Sequence, residues 1–232
     1  MYKKSSSKKV YLAIILIILL VVGIAALVYA IDASKGGTAN ATVGIHVGDT
    51  FTYKLSGSSQ LGSPDAKTPD YLIVYNNTDT YTITVTGING TQISLNTVWR
   101  LLNGTQFTSP QIIDIADGNK TDQNGFWAIY PSNLKIGDLL SPKGFDGIKV
   151  NATDTKTYAN SIRTRCFFQV ESQFRDMTDP TGNTMRDEYD GVYFDQQTGM
   201  LDTLTNIQSY NNPQYNILIT WQLVNTNVWT VQ

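Results

Sequence analysis

Residues Tyr81–Leu95 read YTITVTGINGTQISL, and their alternation decides the fold class. Tyr81, Ile83 and Val85 fall on one side of an extended chain, with Thr82, Thr84 and Thr86 on the other. Asn89-Gly90 is a pair that tolerates the positive φ angles of a two-residue hairpin. Ile93 and Leu95 then resume the apolar alternation. Two antiparallel strands and their turn are written into this one stretch.

The same period recurs toward the C-terminus. A strand from about Arg163 to Asp176 sets Phe168, Val170 and Phe174 against Arg165, Gln169 and Glu171. Asp179-Pro180-Thr181-Gly182-Asn183 turns it into a return strand, Met185 to Phe194, and Asp195–Gly199 turns again toward Leu201 and Leu204. The last strand alternates Ile217, Ile219, Trp221 and Leu223 with Asn216, Thr220 and Gln222. No stretch past residue 45 keeps helical apolar spacing for three turns. The expectation is a mainly β domain, an antiparallel meander with one dry face and one wet face, curved into a half-barrel or folded as a sandwich. Residues 56–70 and 116–125, rich in Pro, Gly and Asp, read as surface loops. Val47-Gly48-Asp49 is echoed at Ile136-Gly137-Asp138, which reads as a repeated glycine turn rather than a duplication.

Upstream the character changes. Lys3, Lys4, Lys8 and Lys9 precede Val10–Ile31, 22 residues without a charge. A helix of that length covers the roughly 30 Å hydrocarbon core of a bilayer. The lysines on one flank and Asp32 on the other orient it with residues 1–9 in the cytoplasm and the rest outside. A cleaved secretory signal ending at Val28-Tyr29-Ala30 is the alternative, although its apolar region would be unusually long. Residues 32–45 then read as a short stalk and 46–232 as one exported β domain, preceded by one transmembrane helix acting as a signal anchor.

Composition narrows the function. Charged residues are 16% of the 232, aromatics 11%, and the formal net charge is -2. Residues 32–232 hold 13 basic and 19 acidic side chains, which excludes a basic nucleic-acid-binding face. One cysteine, Cys166, and one histidine, His46, leave no Cys/His metal set and no room for a Ser-His-acid triad other than through His46. Cys166 reads as a small buried hydrophobe and His46 as a surface residue. Six N-x-S/T sequons, at Asn40, Asn76, Asn89, Asn103, Asn119 and Asn151, suit glycosylation of an exported surface, and equally suit the Asn, Gly and Thr content of β-turns. Asp117, Asn119 and Thr121 place oxygens at positions 1, 3 and 5 of a calcium-type loop. Asp122 stands where its glycine belongs and Ala128 where its bidentate Glu belongs. Between Glu171 and Asp202 lie eight acids: Glu171, Asp176, Asp179, Asp187, Glu188, Asp190, Asp195 and Asp202. Two of them facing each other across a cleft could work as a glycosidase pair, whereas acids in turns are solvated caps. Trp99, Trp127, Trp221 and Trp229 could form a sugar or lipid platform or pack in the core.

Three motifs carry a resemblance: VGDTFTYKLSG at 47–57, LKIGDLL at 134–140 and YDGVYFDQQTGML at 189–201. The chain resembles a group of archaeal exported proteins of uncharacterised activity. These have one N-terminal membrane segment and a single β-rich outer domain with a D-x-x-T-G hairpin near its end. Such domains look similar to the half-barrel sheets of lipoprotein carriers, which hold acyl chains on a concave face; that is an analogy of fold. The expectation is a membrane-anchored extracellular domain with a non-enzymatic surface, binding or envelope-structural role. Its partners would be the bilayer through residues 10–31 and an envelope protein, a glycan or a lipid. A hydrophobic-ligand carrier and a carboxylate-dependent hydrolase are the alternatives.

Overall fold

The computed structural model describes residues 41–121, 127–176 and 183–231. The basic tail, the apolar run, Asn40 and Asp179 lie outside the described residues, and among those described no helix is long and apolar enough to cross a membrane. The strands are β1 (Thr50–Leu61), β2 (Thr78–Asn89), β3 (Gln92–Leu101), β4 (Gln106–Asp114), β5 (Ala152–Tyr158), β6 (Ser161–Arg175), β7 (Met185–Asp195), β8 (Leu201–Asn211) and β9 (Gln214–Thr226). One short helix, α1 (Tyr71–Asn76), joins β1 to β2.

All nine strands hydrogen-bond into one antiparallel sheet in the order β4-β3-β2-β1-β9-β8-β7-β6-β5. The domain is therefore mainly β, and the sheet is single rather than a pair of facing sheets. It consists of two meanders, β1–β4 and β5–β9, fused where β1 pairs with β9 from Phe51↔Thr226 to Leu61↔Tyr215. The β2/β3 hairpin forms at Asn89-Gly90, where Gly90 adopts φ +60°. Residues 56–61, expected in a loop, extend β1, because β9 offers a paired partner along its whole length.

The period-2 alternation sorts side chains onto one dry face. Phe51, Tyr53 and Leu55 of β1, Tyr81, Ile83 and Val85 of β2, Ile93 and Leu95 of β3, and Ile217, Ile219, Trp221 and Leu223 of β9 are all buried. Residues 115–121 and 127–150, between β4 and β5, cover part of that face with Ile115, Ile129, Tyr130, Leu134, Leu140 and Val150. They are pinned there by backbone bonds from Leu201 N to the Ala128 carbonyl and from Tyr130 N to the Gly199 carbonyl, 2.9 Å each.

The sheet curls toward this covered face. In a flat sheet β1 and β5 would lie about 24 Å apart. Instead the Trp229 ring, just past β9, has its centroid 6.0 Å from both Phe51 on β1 and Tyr158 on β5. The Arg163 guanidinium lies 4.1 Å above the same indole. Deeper in the curl, Asp202 on β8 collects Lys156 of β5 at 3.0 Å, Arg165 of β6 at 2.6 Å and the Tyr158 hydroxyl. Asp202 is fully buried, and these donors offset its desolvation.

The two VGD-type turns share one geometry. Gly48 and Gly137 take φ +96° and +89°, and the following aspartate accepts the backbone N–H three residues earlier, His46 for Asp49 and Lys135 for Asp138, at 2.8 Å in each case. The Asp195–Gly199 turn is built similarly: Asp195 Oδ1 accepts both the backbone N–H and the hydroxyl of Thr198 at 2.8 Å, while Arg163 grips the carboxylate at 2.6 and 2.8 Å. These motifs specify corners, not chemistry.

Candidate binding cleft

The dry face departs from its rule most densely on two neighbouring strands. Strand β7 projects Glu188, Asp190, Val192 and strand β8 projects Leu204, Asn206, Gln208 at core-facing positions, so four polar side chains stand where apolar ones belong. The register sets Asp190 opposite Asn206 and Glu188 opposite Gln208, making them a compact quartet. Local rules broken at inward positions are where function is most often found.

The quartet is tightly ordered. Asn206 Nδ2 donates to Glu188 Oε1 at 2.6 Å and to Asp190 Oδ1 at 2.7 Å, so both carboxylates converge on one amide. Gln208 Nε2 donates to Asn206 Oδ1 at 2.8 Å, and Gln208 Oε1 in turn accepts the hydroxyls of Tyr210 and Tyr71 at 3.1 and 3.3 Å. Each bond in this chain aligns the next dipole, so the amide hydrogens point at the acids. Arg186 pairs with Glu188 at 2.9 Å. Among the described residues no cation pairs directly with Asp190: its hydrogen-bond partner is the Asn206 amide, and the Arg186 charge acts on it from beyond pairing distance. Burial, and then the neighbouring Glu188 charge, raise its carboxyl above the ordinary value.

Facing the quartet is a cluster of aromatic rings. Tyr75 of α1, Tyr81 of β2, Trp99 of β3 and Trp221 of β9 pack edge to face, with interplanar angles of 62° for Tyr75–Trp99 and 80° for Tyr81–Trp221. The Trp99 indole N–H is satisfied by the Thr78 hydroxyl at 2.7 Å. Rings and quartet together line a cavity of about 360 Å³ that also takes in Phe107, Thr97 and Ser109. Residues of β4 and β7 meet there, although a flat sheet would hold those two strands about 29 Å apart. The curl makes the cleft.

A second cavity, about 570 Å³, adjoins it on the same face. Trp127, Tyr130, Leu140, Ile148, Phe168 and Val170 give it a mostly apolar wall, and Asp190 and Leu204 line both cavities. Phe145, fully exposed, stands at its margin. The two spaces abut at Asp190 and Leu204, a trough in two parts with its acids near where they meet, each of a size that takes a small organic ligand.

The other candidate residues are dispersed. His46 is exposed, 3.9 Å from Asp49. Cys166 is fully buried, its Sγ–H donating to the Leu134 carbonyl at 3.4 Å, and burial pushes its thiol up to about 12. The calcium-type loop does not gather its oxygens: Asp117 accepts from Asn119 through both carboxylate oxygens, and Thr121 Oγ1 accepts the Ile112 N–H. Among the described residues no three His, Cys, Asp or Glu side chains are grouped to hold a metal ion. Of the sequon asparagines, Asn76, Asn89, Asn103, Asn119 and Asn151 are exposed. Asn76, Asn103 and Asn151 accept backbone N–H bonds through Oδ1, whereas Asn119 Nδ2 donates to Asp117.

The eight acids divide. Glu171, Asp187, Glu188, Asp190, Asp195 and Asp202 lie in strands rather than turns, because β6, β7 and β8 run through them. Trp221 both packs in the core and lines the cleft. Trp229, three residues from the end of the chain, is buried between β1 and β5. The quartet escaped the sequence reading: Glu188-x-Asp190 and Asn206-x-Gln208 are period-2 pairs in phase with Val192 and Leu204, and that phase was the available signal.

No protein-family model matches the chain, and no curated protein is significantly similar to it. The site therefore stands on its geometry.

Proposed function

We propose that this protein is a membrane-tethered, non-enzymatic binding domain whose curled sheet, a half-barrel, holds a small amphipathic molecule in the trough on its covered face. The observation that supports this reading is the joining of an aromatic cleft and an apolar cavity through Asp190 and Leu204, with an ordered polar quartet on one wall only. Apolar walls would supply affinity and the quartet orientation. The uncharged run Val10–Ile31 and the lysines before it support an anchored domain outside the membrane, and the turn motifs support kinship with the archaeal exported group. In that setting the trough would serve as a surface receptor or carrier site within the cell envelope.

The test is binding of the neutral apolar dye N-phenyl-1-naphthylamine to the full chain. Saturable enhancement at one site is expected, together with its loss in Leu204→Trp, which places an indole between the two cavities. A protein that binds no dye, or a plugged variant that binds as well as the wild type, would refute the trough.

A second reading rests on the acids alone. Glu188 and Asp190 converge on one nitrogen, and a carboxyl raised at Asp190 beside a second carboxyl fits the pairing of an acid and a nucleophile. Turnover of nitrophenyl glycosides that vanished in both Glu188→Gln and Asp190→Asn would favour this hydrolase reading over binding.

A further inference from the structure

We infer that the polar end of the ligand is an organic ammonium group, seated between the aromatic rings and the carboxylates of Glu188 and Asp190. The inference rests on the trough being a ligand site and goes on to name the ligand's chemical class.

The first argument is the shape of the aromatic wall. A sugar ring stacks on a flat platform, which needs rings that are coplanar or free on one broad side. Here Tyr81 stands at 81° to Trp99 and Tyr75 at 81° to Trp221, so the rings form mutually upright walls. Tyr81 and Trp221 are largely buried in this packing, and half-buried Tyr75 and Trp99, at 62° to each other, bring a π face and a ring edge to the cavity, the arrangement that receives a compact cation.

Charge is the second argument. The groups lining the trough are Asp117, Asp146, Glu188 and Asp190 against Lys120, with Arg186 adjoining through Glu188. Arg186 pairs directly with Glu188, while half-buried Asp190 has an amide as its direct partner and meets the Arg186 charge only at longer range. A fatty-acid carboxylate would meet like charge at this point. A neutral molecule would strip water from Asp190 and return nothing in exchange. An ammonium group supplies an opposite charge in direct contact with Asp190, and its alkyl groups lie against the rings.

Third, a bare metal ion is a poor occupant. Each carboxylate already shares an oxygen with the Asn206 amide, and the opposing wall of indole and phenol rings lacks the six or more hard oxygens that calcium requires. The adjoining apolar cavity gives an organic cation somewhere to place its body.

The experiment compares three probes on one scaffold: benzyltrimethylammonium, benzyl alcohol and phenylacetate. The full chain is held in a polyoxyethylene-ether micelle, empty micelles serve as blank, and binding is read from tryptophan emission, since Trp99 and Trp221 line the cleft. We expect the cation to bind at least tenfold more tightly than the alcohol, with the anion weakest. Asp190→Asn should weaken the cation about tenfold and leave the alcohol unchanged. If Asp190→Asn fails to fold by circular dichroism, Glu188→Gln is the substitute and should show the same selective loss. Equal binding of cation and alcohol, or a cation affinity indifferent to the substitution, overturns the ammonium assignment while the trough reading stands. Failure of all three probes, together with no uptake of the naphthylamine dye, overturns both.

Discussion

Removing one charge from the interior tests the account of why the sheet stays curled. Asp202 is 0% exposed and lies where β5, β6 and β8 are drawn together, accepting from Lys156, Arg165, the Tyr158 hydroxyl and Thr203. Asp202→Asn keeps the shape of the side chain but leaves two cations facing an amide. Removing one partner of a buried pair costs roughly 3–5 kcal/mol. Lys156 is 26% exposed and can turn to water, and Arg165 retains Asp154 at 2.5 Å, so the lower end applies here. About 3 kcal/mol corresponds to a melting point lower by roughly 6–12 °C in a domain of this size. Burial alone would raise the Asp202 carboxyl, but Tyr158, Arg165 and Lys156 outweigh it and hold the group below its ordinary value of 3.8. A carboxyl depressed in the folded state stabilises fully above its unfolded value. That contribution is lost as pH falls through the folded one. The gap between wild type and variant should therefore be constant from pH 7 to 5 and narrow below about pH 4. Thermal unfolding followed by circular dichroism across that range is the assay. A variant melting within about 2 °C of wild type at pH 7, or a gap that persists undiminished at pH 3, would refute the reasoning.

Three further outcomes are expected. Gly199→Ala should cost at least about 2 kcal/mol in urea unfolding, because the residue has φ +75° and an added Cβ would overlap the Tyr130 carbonyl oxygen; a neutral substitution would mean the turn relaxes freely. Cys166 should resist an aromatic disulfide reagent at pH 8 until the chain unfolds, since the thiol is buried and burial raises it to about 12; prompt labelling of native protein would show the cover around Leu134 opening. Protease added to intact spheroplasts should digest the C-terminal domain and spare a tag on residues 1–9; a protected C-terminus would reverse the proposed orientation.

The visibility of each feature in the sequence followed its range. The hairpin at Asn89-Gly90 and the strands around Phe168 and Trp221 are local, set by neighbours two residues apart, and they lie where the alternation places them. β4 and β5 were not legible: Gln106–Asp114 contains Pro110 and Ala152–Tyr158 is almost wholly polar, because each is an edge strand that needs no second buried face. The acids of 171–202 illustrate the converse. Residue type suggested turns for most of them, yet pairing among β6, β7 and β8 carries six of the eight, Glu171 included, into the sheet.

The sequence by itself therefore determined the fold class, the corners built on Gly48, Gly137 and Gly199, and the placement of apolar residues on one face, all through interactions spanning a few residues. Tertiary structure alone decided that β1 closes on β9 across more than a hundred positions, that the sheet curls until Trp229 touches both meanders, and that Glu188 and Asp190 face Trp99 and Trp221. The physical reason is that alternation says which side a residue faces but not what faces it. That second fact depends on strand order and curvature, which are set by the packing of the whole domain.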